Sequence, residues 1–332
     1  MVLSHTIGHN IFNSGIDGFS FSVDHETVKV LPNVFITTDS GDGIQSDYPN
    51  SVLINSGSII AGLEVGGSFG VFFTNTSNDS KIRNSIGASI IGRDGVDMYG
   101  SGSQIFHNFG SIVATVTYGL YFGTQSQSVV LNNHGTILSA SHGVSVSSDH
   151  SGGKINNYNL IKADAVGIEI NTVSNLTTTI LNAVGGIIKG TMDAIFADNG
   201  MFALTNFGKI IGNITDDNDV RDVVANHGII QGLVKLAGGN DVFDGNGGSS
   251  GQVFGGNGKD HLSGGTHADR LHGEDGNDVV TGRLGADRFC FDTALNATAN
   301  VDQITDFTPA QGDKIVLELS QFAGLGLPTL ER

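Results

Sequence analysis

The sequence predicts an all-β chain: a right-handed parallel β-helix followed by a narrower parallel β-roll. Three observations predict it. Short runs of Val, Ile and Phe alternate with Gly, Asn and Ser; a pattern of 24 or 25 residues recurs through the middle; and a nine-residue pattern takes over near residue 238. Short β-branched runs between turn residues read as strands, and none carries a 3.6-residue apolar period long enough for a helix. The 49 glycines do not signal disorder, because 39% of the chain is hydrophobic, more than a solvated coil carries.

The long pattern is apolar, any residue, Asn, then Gly two positions on and Ile four on. It reads Leu53-Ile54-Asn55-Ser56-Gly57-Ser58-Ile59, and again at Phe106–Ile112, Leu131–Ile137 and Leu204–Ile210, with looser copies at Asn84, Asn157, Asn182 and Asn226. A second run keeps step with it: Gly70-Val71-Phe72-Phe73, Gly95-Val96-Asp97-Met98, Gly119-Leu120-Tyr121-Phe122, Gly143-Val144-Ser145-Val146 and Gly167-Ile168-Glu169-Ile170. A unit of two or three short strands cannot bury its apolar face alone, so copies must stack. Stacking like strand on like strand makes parallel sheets, whose crossovers are right-handed. Residues 31–235 are therefore expected to form roughly eight coils, about 40 Å long at ~4.8 Å per coil, with residues 1–30 as an N-terminal cap. Strand alternation puts Leu131 and Asn133 on one face, so the repeated asparagines are expected inside, hydrogen-bonded amide to amide from coil to coil.

The short pattern occupies an expected roll at 236–292. It reads Gly255-Gly256-Asn257-Gly258-Lys259-Asp260, Gly264-Gly265-Thr266-His267-Ala268-Asp269, Gly273-Glu274-Asp275-Gly276-Asn277-Asp278 and Gly282-Arg283-Leu284-Gly285-Ala286-Asp287, each followed by a three-residue strand with one apolar side chain. This is the G-G-x-G-x-D-x-U-x nonapeptide, four times in unbroken register. Six residues make a turn whose glycines adopt positive φ around an ion, and two nonapeptides make one coil. Ca²⁺ takes six to eight oxygens, which Asp carboxylates and loop carbonyls can supply. Ions are then expected between the Asp260 and Asp278 turns, and between the Asp269 and Asp287 turns. The turn residues Gly255, Gly256, Asn257, Gly258, Gly264, Gly265, Gly273, Asp275, Gly276, Gly282 and Gly285 complete the candidate set. Upstream, Gly239 and Asp241 belong to a further copy 19 residues before Asp260, one residue out of register, and Ser250 stands where its successor would have Asp. His267 replaces the fourth glycine of its turn, which is expected to distort it. His261, His267 and His272 offer an alternative zinc reading; their motif positions are expected to be exposed.

These repeats, with Asp302-Gln303-Ile304-Thr305-Asp306-Phe307 and Gly312-Asp313-Lys314-Ile315 after them, resemble the C-terminal domain of serralysin-type secreted proteins over about 238–320. The resemblance implies a calcium-filled β-roll and export by type I secretion through an uncleaved C-terminal segment, here 293–332. Related domains continue past the equivalent of Leu327, so that segment is expected to be cut short at Arg332. The upstream coils are loosely similar to passenger or adhesin β-helices.

Charge and cysteine content narrow the partners. A net charge of −17 opposes nucleic acid and anionic membrane surfaces and suits a cation binder. The single Cys290 excludes an intrachain disulfide framework, no 18-residue apolar stretch exists, and the N-terminus lacks a signal-peptide pattern. The protease motif H-E-x-x-H is absent. Catalysis on polysaccharide would need paired carboxylates on one exposed sheet. The candidates are Asp94 and Asp97 with Arg93, and the run Asp216, Asp217 and Asp219; the sequence places the first pair on an ordinary outward face. The main expectation is an extracellular calcium-binding scaffold of structural, adhesive or surface role, with extracellular polysaccharide as a partner; the alternative is a polysaccharide lyase, hydrolase or epimerase.

Overall fold

A computed structural model describes residues 3–62, 68–123, 125–147, 152–173, 175–294 and 296–322. The chain is a parallel β-solenoid. Among the described residues one sheet stacks 14 strands, from Ser4–Ile7 through Ser103–Asn108 and Val223–Asn226 to Gln303–Ile304, and the strand pairs between successive coils are parallel. Regular helix among the described residues is confined to Pro309–Gln311 and Leu319–Phe322.

Coils in the middle have three faces, as at Ser103–Asn108, Ser111–Ala114 and Tyr118–Phe122. Alternation puts every second residue inside. Ile112 lies on Ile137, Ile137 on Ile161, Ile161 on Ile188 and Ile188 on Ile210, all fully buried. Burying each such side chain contributes about 1.5–3 kcal/mol, so a column holds the stack together where one coil could not stand. The repeated glycine of the second run has a steric cause: a Cβ on Gly95 would lie 2.4 Å from the Gly119 carbonyl oxygen of the next coil, and one on Gly119 2.5 Å from that of Gly143.

The asparagine ladder forms as the alternation predicts. Asn84 donates to Asn108 at 2.9 Å, Asn108 to Asn133 and Asn133 to Asn157 at 2.8 Å, and the chain continues through Asn182 and Asn206 to Asn226. From Asn84 to Asn206 each of these buried amides also donates to a backbone carbonyl, as Asn133 does to Leu160 at 3.1 Å. Buried polar groups are tolerated when so paired.

Coils begin and end beyond the expected bounds. Within 1–30, Ser4–Ile7 pairs with Thr27–Val30, and Ile11–Asn13 with Phe35–Thr38, so residues 4–30 are themselves a coil. At the other end Gln303–Ile304 and Lys314–Leu317 extend the sheets past residue 292. Residues 323–332, where the secretion-related segment was expected to end, lie outside the described residues. No break separates the long coils from the short ones either. The inward column Ile195, Ile214, Val234, Val253, Leu271, Phe289 runs through both. The spacing simply contracts, from 24 or 25 residues to 20 between Asn206 and Asn226 and then to 18 between Leu262 and Val280.

Candidate metal site

The nonapeptide aspartates sit where each turn enters a strand, and there they form two vertical ladders. On one edge the Asp241 N–H donates to Asp260 Oδ1 at 2.8 Å, Asp260 to Asp278 at 2.9 Å and Asp278 to Asp302 at 3.1 Å. On the other, Asp269 donates to Asp287 at 2.9 Å and Asp287 to Asp313 at 3.0 Å. Turns two repeats apart are thus hydrogen-bonded neighbours in the stack. Asp241 joins its edge despite the 19-residue offset, because the extra residue is taken up between Asp244, paired with Ser263, and Gln252, paired with Arg270.

In Asp241, Asp260, Asp278 and Asp287 one carboxylate oxygen, Oδ1, accepts a ladder N–H. The other, Oδ2, is buried and without a hydrogen-bond partner in Asp241, Asp260, Asp278 and Asp287, and these residues are at most 1% exposed. Several unpaired buried carboxylate oxygens in stacked turns cost folding free energy unless a cation or proton meets them. Burial pushes Asp241 up to about 8 and Asp278 to about 7, and raises Asp260 and Asp287, in each case against the lowering effect of the ladder N–H.

The glycines explain themselves around these oxygens. A Cβ on Gly255 would lie 2.4 Å from Asp260 Oδ2, one on Gly273 2.4 Å from Asp278 Oδ2, and one on Gly282 2.5 Å from Asp287 Oδ2. The first glycine of the repeat leaves the space that its own aspartate fills. The fourth turns the chain: φ is 142° at Gly258, 149° at Gly276 and 137° at Gly285. A Cβ on Gly276 would stand 1.6 Å from the Gly258 carbonyl oxygen, so carbonyls stack inside the turns beside the carboxylates. Oxygen-only donors of this kind suit a hard cation, and Ca²⁺ above Mg²⁺, which demands a small octahedral shell. Each edge carries one carboxylate per level, and among the described residues no group of three or more His, Cys, Asp or Glu forms a metal cluster.

Residues 254–289 match the RTX calcium-binding nonapeptide repeat, in four copies. Calcium is therefore the cation these turns fit. No curated protein and no solved structure matches the chain.

Within the RTX repeats the turns are not equal. Asp269 differs from its fellows because Gly265 N–H donates to its Oδ2 at 2.6 Å; the turn carrying His267 closes on its own carboxylate. Asn257 and Asp275 have exposed side chains, which leaves their backbone as their contribution. The Ser250 level faces an open groove of about 530 Å³ lined by Arg270 and Arg288 as well as Asp269, a cationic wall that opposes a metal ion there.

The three histidines are not brought together. His261 and His272 lie in different sheets. His272 is buried rather than exposed, stacked on Phe254 at 4.2 Å between centroids and bonded through Nδ1 to Asp292 at 2.6 Å. Burial lowers its basicity more than Asp292 restores it.

The candidate catalytic carboxylates also land differently from expectation. Asp97 stands between Phe72 and Tyr121 in register on the outer face, yet is 2% exposed, and its Oδ1 has no partner. Asp94 Oδ1 accepts the Tyr118 N–H at 3.1 Å. Asp216 is buried and held by Asn218, whereas Asp217 and Asp219 are exposed. Motif reading missed Asp302 and Asp313 as rungs. Their signal was present: each is an Asp two residues before an apolar strand residue, as in Asp302-Gln303-Ile304 and Asp313-Lys314-Ile315.

Proposed function

We propose that this protein is a secreted calcium-binding solenoid, a structural, adhesive or surface-associated module whose roll orders when it meets Ca²⁺ outside the cell. The observation that carries the reading is the file of buried carboxylate oxygens without partners. Each stacked Oδ2 adds like charge to the next, so the short coils are self-repelling without metal and cross-linked with it. The long coils at 103–206 are held instead by isoleucine columns and an amide ladder. RTX repeats are typical of secreted proteins, and the serralysin-like segments at 302–315 support export by type I secretion. Cytosol low in free calcium would then keep the roll open until export.

The test is hydrogen exchange on the full chain in chelator, in Ca²⁺ and in Mg²⁺. Residues 255–291 should exchange freely in chelator and in Mg²⁺ and become protected in Ca²⁺, while 103–206 stay protected throughout. Equal protection of 255–291 in all three would sink the calcium switch.

A second reading, a polysaccharide-binding or polysaccharide-active flank, is favoured by one specific observation. Asp97 is a buried carboxylate without a partner for Oδ1, beside a chain of rings from Phe69 and Phe72 through Tyr99 and Tyr121 to Tyr118 and His142, with centroids 4.5–5.9 Å apart. Incubation with neutral and uronate polymers, read for new reducing ends, unsaturated products or epimerised sugars, separates this reading from the scaffold.

A further inference from the structure

We propose a calcium site outside the RTX repeats, between the turn Asp217–Asp222 and the turn Leu236–Asp241, that seeds the roll on the long coils. It rests on the reading of the partnerless carboxylates as calcium ligands, and extends that reading to a turn without a nonapeptide.

The turn at 217–222 has no glycine. Nevertheless it repeats the RTX turn level by level. The Asp222 N–H donates to Asp241 Oδ1 at 2.7 Å, as Asp241 does to Asp260 and Asp260 to Asp278. Gly238 N–H donates to the Asn218 carbonyl at 3.0 Å, as Asn257 N–H does to Ala237 one coil on. A Cβ on Gly239 would lie 2.5 Å from the Val220 carbonyl oxygen, the counterpart of Gly258 against Gly239. Where glycine shapes the RTX turns, side chains shape this one: Asn218 N–H donates to Asp216 and Val220 N–H to the Asn218 side chain at 3.0 Å.

The observation that points to a ligand is separate from this geometry. Asp222 and Asp241 are both fully buried, and Oδ2 of each has no hydrogen-bond partner. Asp222 Oδ1 is already engaged by the Phe202 N–H at 2.7 Å. Two buried carboxylate oxygens on adjacent levels, with the Val220 carbonyl nearby, repeat the donor chemistry of the RTX levels. The carboxylate of Asp219, whose Oδ1 would stand 2.3 Å from a Cβ on Gly238, is a further oxygen at the rim.

Position gives the site its consequence. Its upper half belongs to a coil built on the asparagine ladder and the isoleucine columns, which stands without metal. Its lower half is the first short turn. Calcium bound there fixes Leu236–Asp241 against a rigid rung, so ordering proceeds from the long coils outward rather than starting within the roll.

Titration calorimetry of the full chain with Ca²⁺, comparing wild type with Asp222→Asn, tests this. Asn keeps an acceptor for Phe202 and removes the charge. The expected result is one fewer ion bound, together with a higher calcium concentration for ordering 255–291. Unchanged stoichiometry overturns the proposal while leaving RTX binding intact; absence of calcium binding in wild type overturns the parent reading instead. Should the variant misfold, wild-type hydrogen exchange decides: calcium-dependent protection extending to 217–222 supports the site, and protection beginning only at 255 overturns it.

Discussion

Replacing Asn133 by Ala tests whether the buried amide ladder holds the long coils. Asn133 sits mid-ladder, fully buried. It accepts from Asn108 at 2.8 Å, donates to Asn157 at 2.8 Å and donates to the Leu160 carbonyl at 3.1 Å. The substitution removes three bonds and strands one N–H of Asn108, the Oδ1 of Asn157 and a carbonyl. At about 1 kcal/mol per net bond, and about 1–3 kcal/mol for each buried group left unsatisfied, the loss should be at least about 3 kcal/mol. The adjacent Asn132 is the control. It faces outward, half-buried, accepting from Asn156 at 2.8 Å and meeting His107 at 3.3 Å, and its loss to Ala should cost under about 1 kcal/mol. Urea unfolding in saturating calcium, followed by circular dichroism, gives the comparison; hydrogen exchange at 128–139 localises it, because a stack of coils need not unfold in one step. Equal, small effects of the two substitutions would refute the view that the inward amides hold the coils together.

Three further outcomes are expected. Asp278→Asn should weaken calcium binding on the Asp260–Asp278 edge and spare the Asp269–Asp287 edge, read by calorimetry and by exchange at each edge; equal loss on both would contradict the two-ladder geometry. Gly273→Ala places a methyl 2.4 Å from Asp278 Oδ2, so it should lower calcium affinity without altering the exchange of 103–206. Asp97 is held well above the ordinary carboxylate range, first by burial and then by Asp94 and Asp42. A carboxyl raised in the folded state contributes full stability below its unfolded value and loses it as pH climbs toward the folded value. Asp97→Asn should therefore gain on wild type as pH rises from 4.5 to 8 in saturating calcium, and a stability difference independent of pH would refute the assignment.

Much of this protein was legible because both repeats report stacking directly. A 24-residue period with alternating apolar positions has one economical solution, parallel coils, and the same alternation sent Asn133 and Ile137 inward. The nonapeptide likewise announced its turn, its aspartate and its partner two repeats away. What escaped were residues that obey the geometry without the motif. Asp222, Asp302 and Asp313 occupy ladder positions, but their turns have other lengths and few glycines, and a fixed-period search passes over them.

Sequence alone thus determined the fold class, the inward columns, the amide ladder and the calcium-binding repeats, since each follows from local period and residue type. Tertiary structure decided where coils start and stop, and that the two repeat types share one core. It also decided which carboxylates lose water: Asp97 on an outward position and Asp222 in a turn without glycine are both buried with an oxygen lacking a hydrogen-bond partner. Burial of that kind depends on what neighbouring coils lay over a side chain, residues some 20 or more positions away, and no local pattern encodes it.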